Sequence, residues 1–167
     1  MSIVVLAALL TASALAQNLP TSTTACGSGV GSFKVKLDES QHTLEQPDRG
    51  KARIYFIHDA GTNWTTGYPT VKIAVDGAWQ GANHGNSYFS VSVDPGEHHV
   101  CATLQSSLVA QRVELAHLTA AADTVYYYRT RLILSRGVEL LELDSIDSDQ
   151  GRYLTASFPL AVSSLKK

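Results

Sequence analysis

Short runs in which apolar and polar residues alternate dominate the chain. Phe33, Val35 and Leu37 alternate with Lys34, Lys36 and Asp38, and Ala52, Ile54 and Phe56 share one face of the run from Lys51 to His58. Val71, Ile73 and Val75 repeat the pattern, as do Phe89, Val91 and Val93 against Tyr88, Ser90 and Ser92. A period of two marks a half-buried strand, because successive side chains leave opposite faces of the backbone. Further strand-like runs cover His98 to Gln105, Val109 to Leu118, Thr124 to Leu134 and Val138 to Ile146.

Turn chemistry separates these runs. Pro47-Asp48-Arg49-Gly50 and Asp94-Pro95-Gly96 are turn formers, and Asp76-Gly77 sits directly between two extended runs. Such a pair predicts a two-residue hairpin, since both central residues must take positive φ. Ala78 to Gln80 then returns as a short strand, and Gly81 to Asn86 reads as a loop. Near the end, Asp147 or Ser148 caps a helix over Asp149 to Ser157, with Tyr153, Leu154 and Phe158 available to pack and Gly151 weakening it. The predicted fold is all-β: an antiparallel β-sandwich, immunoglobulin-like or transthyretin-like, of about eight strands with one short C-terminal helix.

The N-terminus carries an address. Ile3 to Leu10 is almost wholly apolar and is followed by Ala14-Leu15-Ala16, the small-x-small pattern of a signal-peptidase site. Residues 1–16 therefore read as a cleaved signal peptide, 17–32 as a flexible leader, and 33–167 as one β-sandwich domain. The apolar segment is shorter than the ~20 residues that span a bilayer, so no integral membrane segment is expected after cleavage. Cys26 lies well past the cleavage point, so a lipid anchor is not expected either. The expected location is periplasmic or secreted.

Export changes the meaning of the two cysteines, Cys26 and Cys101. In an oxidising compartment a lone pair of this kind forms a disulfide. Val100, Ala102 and Leu104 share a face, so Cys101 points away from it, where it can staple the leader across the sheet. Charge adds an exclusion. With 13 Lys and Arg against 15 Asp and Glu, the net charge is −2 and no basic stripe appears, so nucleic acid is not an expected partner.

Candidate chemistry is sparse. His58, His84, His98, His99 and His117 invite a metal, with Asp59 beside the first. No pair has the i, i+2 strand spacing or i, i+4 helix spacing that converges two imidazoles, and His98 and His99 point to opposite faces. No metal or other cofactor is expected. Gly27-Ser28-Gly29-Val30-Gly31 lacks the Gly-x-Ser-x-Gly context of a strand followed by a helix, so no catalytic residue is assigned. In Tyr126-Tyr127-Tyr128, Tyr127 faces one way and its neighbours the other. The one promising surface is the stretch from Trp79 to Tyr88, where Trp79, Asn83, His84, Asn86 and Tyr88 form a candidate binding loop beside a hairpin. Trp79 reads equally well as a core anchor.

Five ordered patterns also carry a family resemblance. They are Gly50-Lys51-Ala52-Arg53-Ile54-Tyr55-Phe56; Val75-Asp76-Gly77 with Gly81; Tyr88-Phe89-x-Val91-x-Val93-x-Pro95-Gly96-x-His98; Tyr126-Tyr127-Tyr128-Arg129; and Glu142-Leu143 before the acidic helix start. Together, over roughly Cys26 to Leu160, they resemble the bacterial family catalogued as domain of unknown function 2846. The resemblance implies an exported β-sandwich and carries no activity, cofactor or catalytic residue to transfer. The expected role is a non-enzymatic cell-envelope module, structural or protein-binding, whose partner is an envelope protein. The alternatives are a small-ligand or glycan-binding module using the candidate loop and, less favoured, a hydrolytic enzyme.

Overall fold

The computed structural model describes residues 26, 31–40, 44–61, 68–105, 113–135 and 138–166. The expected signal peptide and most of the leader lie outside the described residues. Among the described residues ten strands and one helix follow in order: β1 (Phe33–Asp38), β2 (Ala52–Asp59), β3 (Thr70–Val75), β4 (Ala78–His84), β5 (Ser87–Val93), β6 (Gly96–Leu104), β7 (Val113–Ala120), β8 (Val125–Ser135), β9 (Val138–Ile146), α1 (Ser148–Ser157) and β10 (Leu160–Leu165). They form a six-stranded sheet in the order β1-β10-β5-β2-β8-β9 and a four-stranded sheet in the order β4-β3-β6-β7.

Alternation explains the core between the sheets. Ala52, Ile54 and Phe56 of β2 meet Val71, Ile73 and Val75 of β3 and Val100 and Ala102 of β6 there. Burying a side chain such as Ile54 completely contributes about 1.5–3 kcal/mol. The opposite face of β2 is not solvated. Tyr55 and Ile57 join Tyr88, Tyr127 and Leu154 in a second cluster under α1, with the Tyr55 and Tyr127 rings stacked 5.3 Å apart. Tyr127 thus leaves the face opposite Tyr128, as the alternation requires.

The sandwich is not purely antiparallel. β2 runs parallel to β8 over Arg53 to Asp59, and β10 runs parallel to β5. Alternation sets which face a residue takes and is silent on the direction of a distant partner, so this feature had no local signal. The strand count exceeds the expected eight, with β10 (Leu160–Leu165) following the helix where no strand was expected, and β4 is longer than expected. Gly81 to Asn83, expected in a loop, continue β4 as it pairs with β3 as far as Thr70 opposite His84. Gly81 is a strand residue because Ser163 Oγ and the Phe89 ring would lie 2.9 Å and 3.1 Å from any Cβ there.

The turns behave as their residues dictate. Asp76 and Gly77 take φ of 51° and 77°, the pair of positive values the hairpin needs. Asp147 caps α1, its Oδ1 accepting from the Asp149 and Gln150 backbone N–H groups at 2.9 Å and 2.8 Å. Leu154 and Phe158 pack inward, whereas Tyr153 is 72% exposed and takes no part in the core. At 3.6 residues per turn Tyr153 lies off the face that carries Leu154.

Cys26 and Cys101 are joined by a disulfide with Cα atoms 5.2 Å apart. Cys101 lies on the outer face of the four-stranded sheet, opposite Ala74 of β3, and the bridge packs with Ala74 and Trp79. The staple across the sheet is therefore present, on the face the alternation indicated.

Candidate functional site

The five residues expected to form a binding loop do not converge. Trp79 lies against the disulfide. The Lys72 ammonium stands 4.3 Å from the centre of its ring while donating to the Gly31 carbonyl at 2.8 Å. Burial lowers the Lys72 pKa. Trp79 is thus the core anchor of this corner. Asn83 is wholly buried on β4; its amide donates to the Phe56 carbonyl at 3.1 Å and its Oδ1 accepts from Ser87 Oγ at 3.3 Å.

His84 pairs Nδ1 with Thr70 Oγ1 at 2.9 Å. Asn86, in the β4–β5 turn, accepts from the Ala60 N–H at 2.7 Å through Oδ1. Tyr88 is in β5, and only 4% of it is exposed. Three of the five spend their polar groups on neighbouring strands and turns. The stretch is a hairpin, not a loop, and its polar residues specify the fold.

The other described histidines fall into three environments. His58 is fully buried, with Nδ1 3.1 Å from the Thr130 carbonyl and 3.0 Å from Thr130 Oγ1. Donation from Nδ1–H to that carbonyl leaves Nε2 as a bare acceptor, and Nε2 is buried without a partner. Burial pushes the His58 pKa down to about 4. It is sealed from any substrate.

His98 lies at the opposite end of the sandwich, between two turns. Its Nδ1 is 2.6 Å from Asp76 Oδ2 and its Nε2 is 2.7 Å from the Asp94 carbonyl. Burial works to lower its pKa, but the hydrogen bonds and charges of Asp76 and Asp94 outweigh it and the net shift is upward. Both acceptors are then met by N–H donors, which only the imidazolium supplies. His99 and His117 form the third environment, directly opposite one another on β6 and β7. Spacing along the sequence hides this juxtaposition, because cross-strand register creates it.

One feature open to solvent is a seam in the six-stranded sheet. β10 pairs with β5 at one position only, Leu160 opposite Tyr88, where the Tyr88 N–H donates to the Pro159 carbonyl at 3.1 Å. The ladder ends there. In a strand paired on one side, alternate residues aim their backbone groups to the other. Ser90 and Ser92 therefore face the seam like Tyr88, without a strand partner on β10. On the opposite edge β5 is fully paired, from Ala52 opposite Val93 to His58 opposite Ser87.

The seam opens into a cleft of about 350 Å³ lined by Tyr55, Tyr88, Phe89, Ser90, Ala161 and Ser163, with Leu44 and Glu45 on its rim. The Tyr55 hydroxyl donates to the Glu45 carbonyl at 2.9 Å, and Arg53 holds the Glu45 carboxylate. Burial, then the nearby Glu45 and Asp38 carboxylates, raises the Tyr88 pKa. Burial also dominates at Tyr55, whose pKa rises to about 12. Both phenols are neutral donors at physiological pH. Of the five expected binding residues, Tyr88 alone reaches this cleft; Ser90, Ser163 and Glu45 carried no local signal.

Among the described residues no helix is long and apolar enough to cross a membrane, and no three ligating side chains are drawn together as a metal site. No protein-family profile, curated protein or solved structure matches the chain.

Proposed function

We propose that the protein is an exported, non-enzymatic β-sandwich module of the cell envelope that binds an extended segment of a partner protein along the seam of β5. The sandwich is of the immunoglobulin-like or transthyretin-like kind, delivered to the periplasm or outside the cell by a cleaved signal at residues 1–16. Kinship with the domain of unknown function 2846 family, resting on the five patterns above, belongs to the same proposal. The disulfide supports an oxidising compartment.

One observation carries the reading: the Ser90 and Ser92 backbone groups face an open seam where the β10 ladder stops. Unpaired N–H and C=O groups in a row are what an added strand binds, with side-chain pockets supplying selectivity. Phe89, Tyr88 and Ala161 offer apolar contact in the cleft, and Ser90 and Ser163 offer hydroxyls.

Amide chemical shifts of the mature chain discriminate this from glycan binding. A Lys-flanked peptide of alternating Thr and Val is titrated in one series and a muropeptide disaccharide in another. Shifts at Ser90 and Ser92 with the peptide support the proposal. Shifts around Tyr88 and Ser163 with the sugar alone transfer the site to a glycan. No response to either contradicts both readings.

A further inference from the structure

On β6, Val100 and Ala102 fill the core, as Leu118 and Ala120 do on β7. Strand alternation then sends His99 and His117 to the outer face of the four-stranded sheet, where both are exposed. The register places them directly opposite each other, with ring centres 5.3 Å apart and planes at 67°. β6 is held on both sides, by β3 and by β7. The His99 N–H is further pinned by Asp76 Oδ1 at 2.9 Å, and its carbonyl accepts from the Asp76 N–H at 2.9 Å. Among the described residues neither imidazole has a hydrogen-bond partner for its ring nitrogens. Two imidazoles stand side by side on a rigid surface with their nitrogens free.

We propose that His99 and His117 chelate one divalent transition-metal ion of the zinc, copper and nickel class. Imidazole nitrogen suits these ions, whereas magnesium and calcium demand oxygen ligands. Two imidazoles sharing an ion at metal–nitrogen distances of about 2.0–2.1 Å stand with ring centres roughly 5 Å apart. The pair already has that separation. Its edge-to-face tilt becomes convergent by rotation about the terminal χ2 torsions, which are broad for histidine.

Glu97 sits one step along the same face, opposite Thr119, and adds negative charge beside the pair. Among the described residues no third side chain joins the two imidazoles, so water or a donor from a partner completes the shell. The bound ion links β6 to β7 on the face that carries the disulfide. His98, although adjacent in sequence, is committed to Asp76 and Asp94 and stays outside the site.

Calorimetric titration of the tag-free mature chain with ZnCl2 tests the assignment, alongside thermal melting and the imidazole proton spectrum. One ion binds per chain, the melting temperature rises, and the His99 and His117 ring signals shift while those of His84 and His98 do not. The His99→Gln and His117→Gln variants each weaken binding by roughly a hundredfold, since either leaves a single ligand and forfeits chelation. The double variant, with neither ligand, loses the site altogether. Retention of parental affinity by either single variant overturns the proposal. So does an equal response to MgCl2, or the absence of any zinc binding. Because the substituted side chains are exposed, the melting curve without metal verifies that each variant is folded.

Discussion

Gly151 shows how a residue's meaning depends on what lies across from it. Glycine inside a helix costs about 1 kcal/mol relative to alanine, so by propensity Gly151 is a flaw in α1. In the folded protein a Cβ at this position would lie 2.2 Å from Tyr127 Cγ. The helix lies flat on the ring because glycine is there. Gly151→Ala should therefore destabilise the protein, by about 1–3 kcal/mol as overpacking outweighs the gain in propensity. Chemical denaturation of the variant measures it, and a stabilised variant would refute the contact. His58 supplies a second prediction at this scale. Its folded pKa of about 4 lies below the ordinary histidine value of 6.5 because burial penalises the imidazolium. The unfolded chain therefore takes up the proton first. Stability contributed by neutral His58 is intact above pH ~6.5 and is lost as pH falls towards 4, by roughly 3 kcal/mol. In His58→Gln, urea denaturation at pH 7 and pH 4 should show a markedly smaller loss than in the parent. An equal loss would exclude His58 as the source.

Among the elements, β2 and β5 were legible from alternation, the β3–β4 hairpin from Asp76-Gly77, and the start of α1 from Asp147. Each signal is local. The extension of β4 through Gly81, Ala82 and Asn83 was not legible, since glycine and asparagine read as loop until Ser163 and Phe56 are seen to pack and bond there. The parallel pairing of β2 with β8 and the His99–His117 juxtaposition were hidden for a common reason: register between distant strands is a tertiary property. The disulfide was legible because it needed only a count of two, an oxidising address and the face of Cys101. It joins residues 75 apart. Replacing both cysteines with serine should lower stability by about 2–4 kcal/mol, chiefly by freeing the unfolded chain. Denaturant unfolding of the parent and the double variant reads that difference, and identical midpoints would contradict it.

For the whole molecule, the two sheets enclose one core, while α1 and the segment from Leu44 to Asp48 cover the outer face of the six-stranded sheet. Among the described residues, pairing inside the six-stranded sheet is interrupted at the seam between β5 and β10. Sheet edges left unpaired are a hazard that folds ordinarily cover or charge, so an open one inside a sheet calls for an occupant. The proposed function rests on that seam being open in the free protein. Native-state amide hydrogen exchange of the mature chain examines this residue by residue. The account predicts slow exchange at Phe89 and Val91, whose N–H groups face β2, and exchange faster by orders of magnitude at Ser90 and Ser92, which face the seam. Equal protection at all four amides would mean that β10 or another segment already closes the ladder, and would contradict the account.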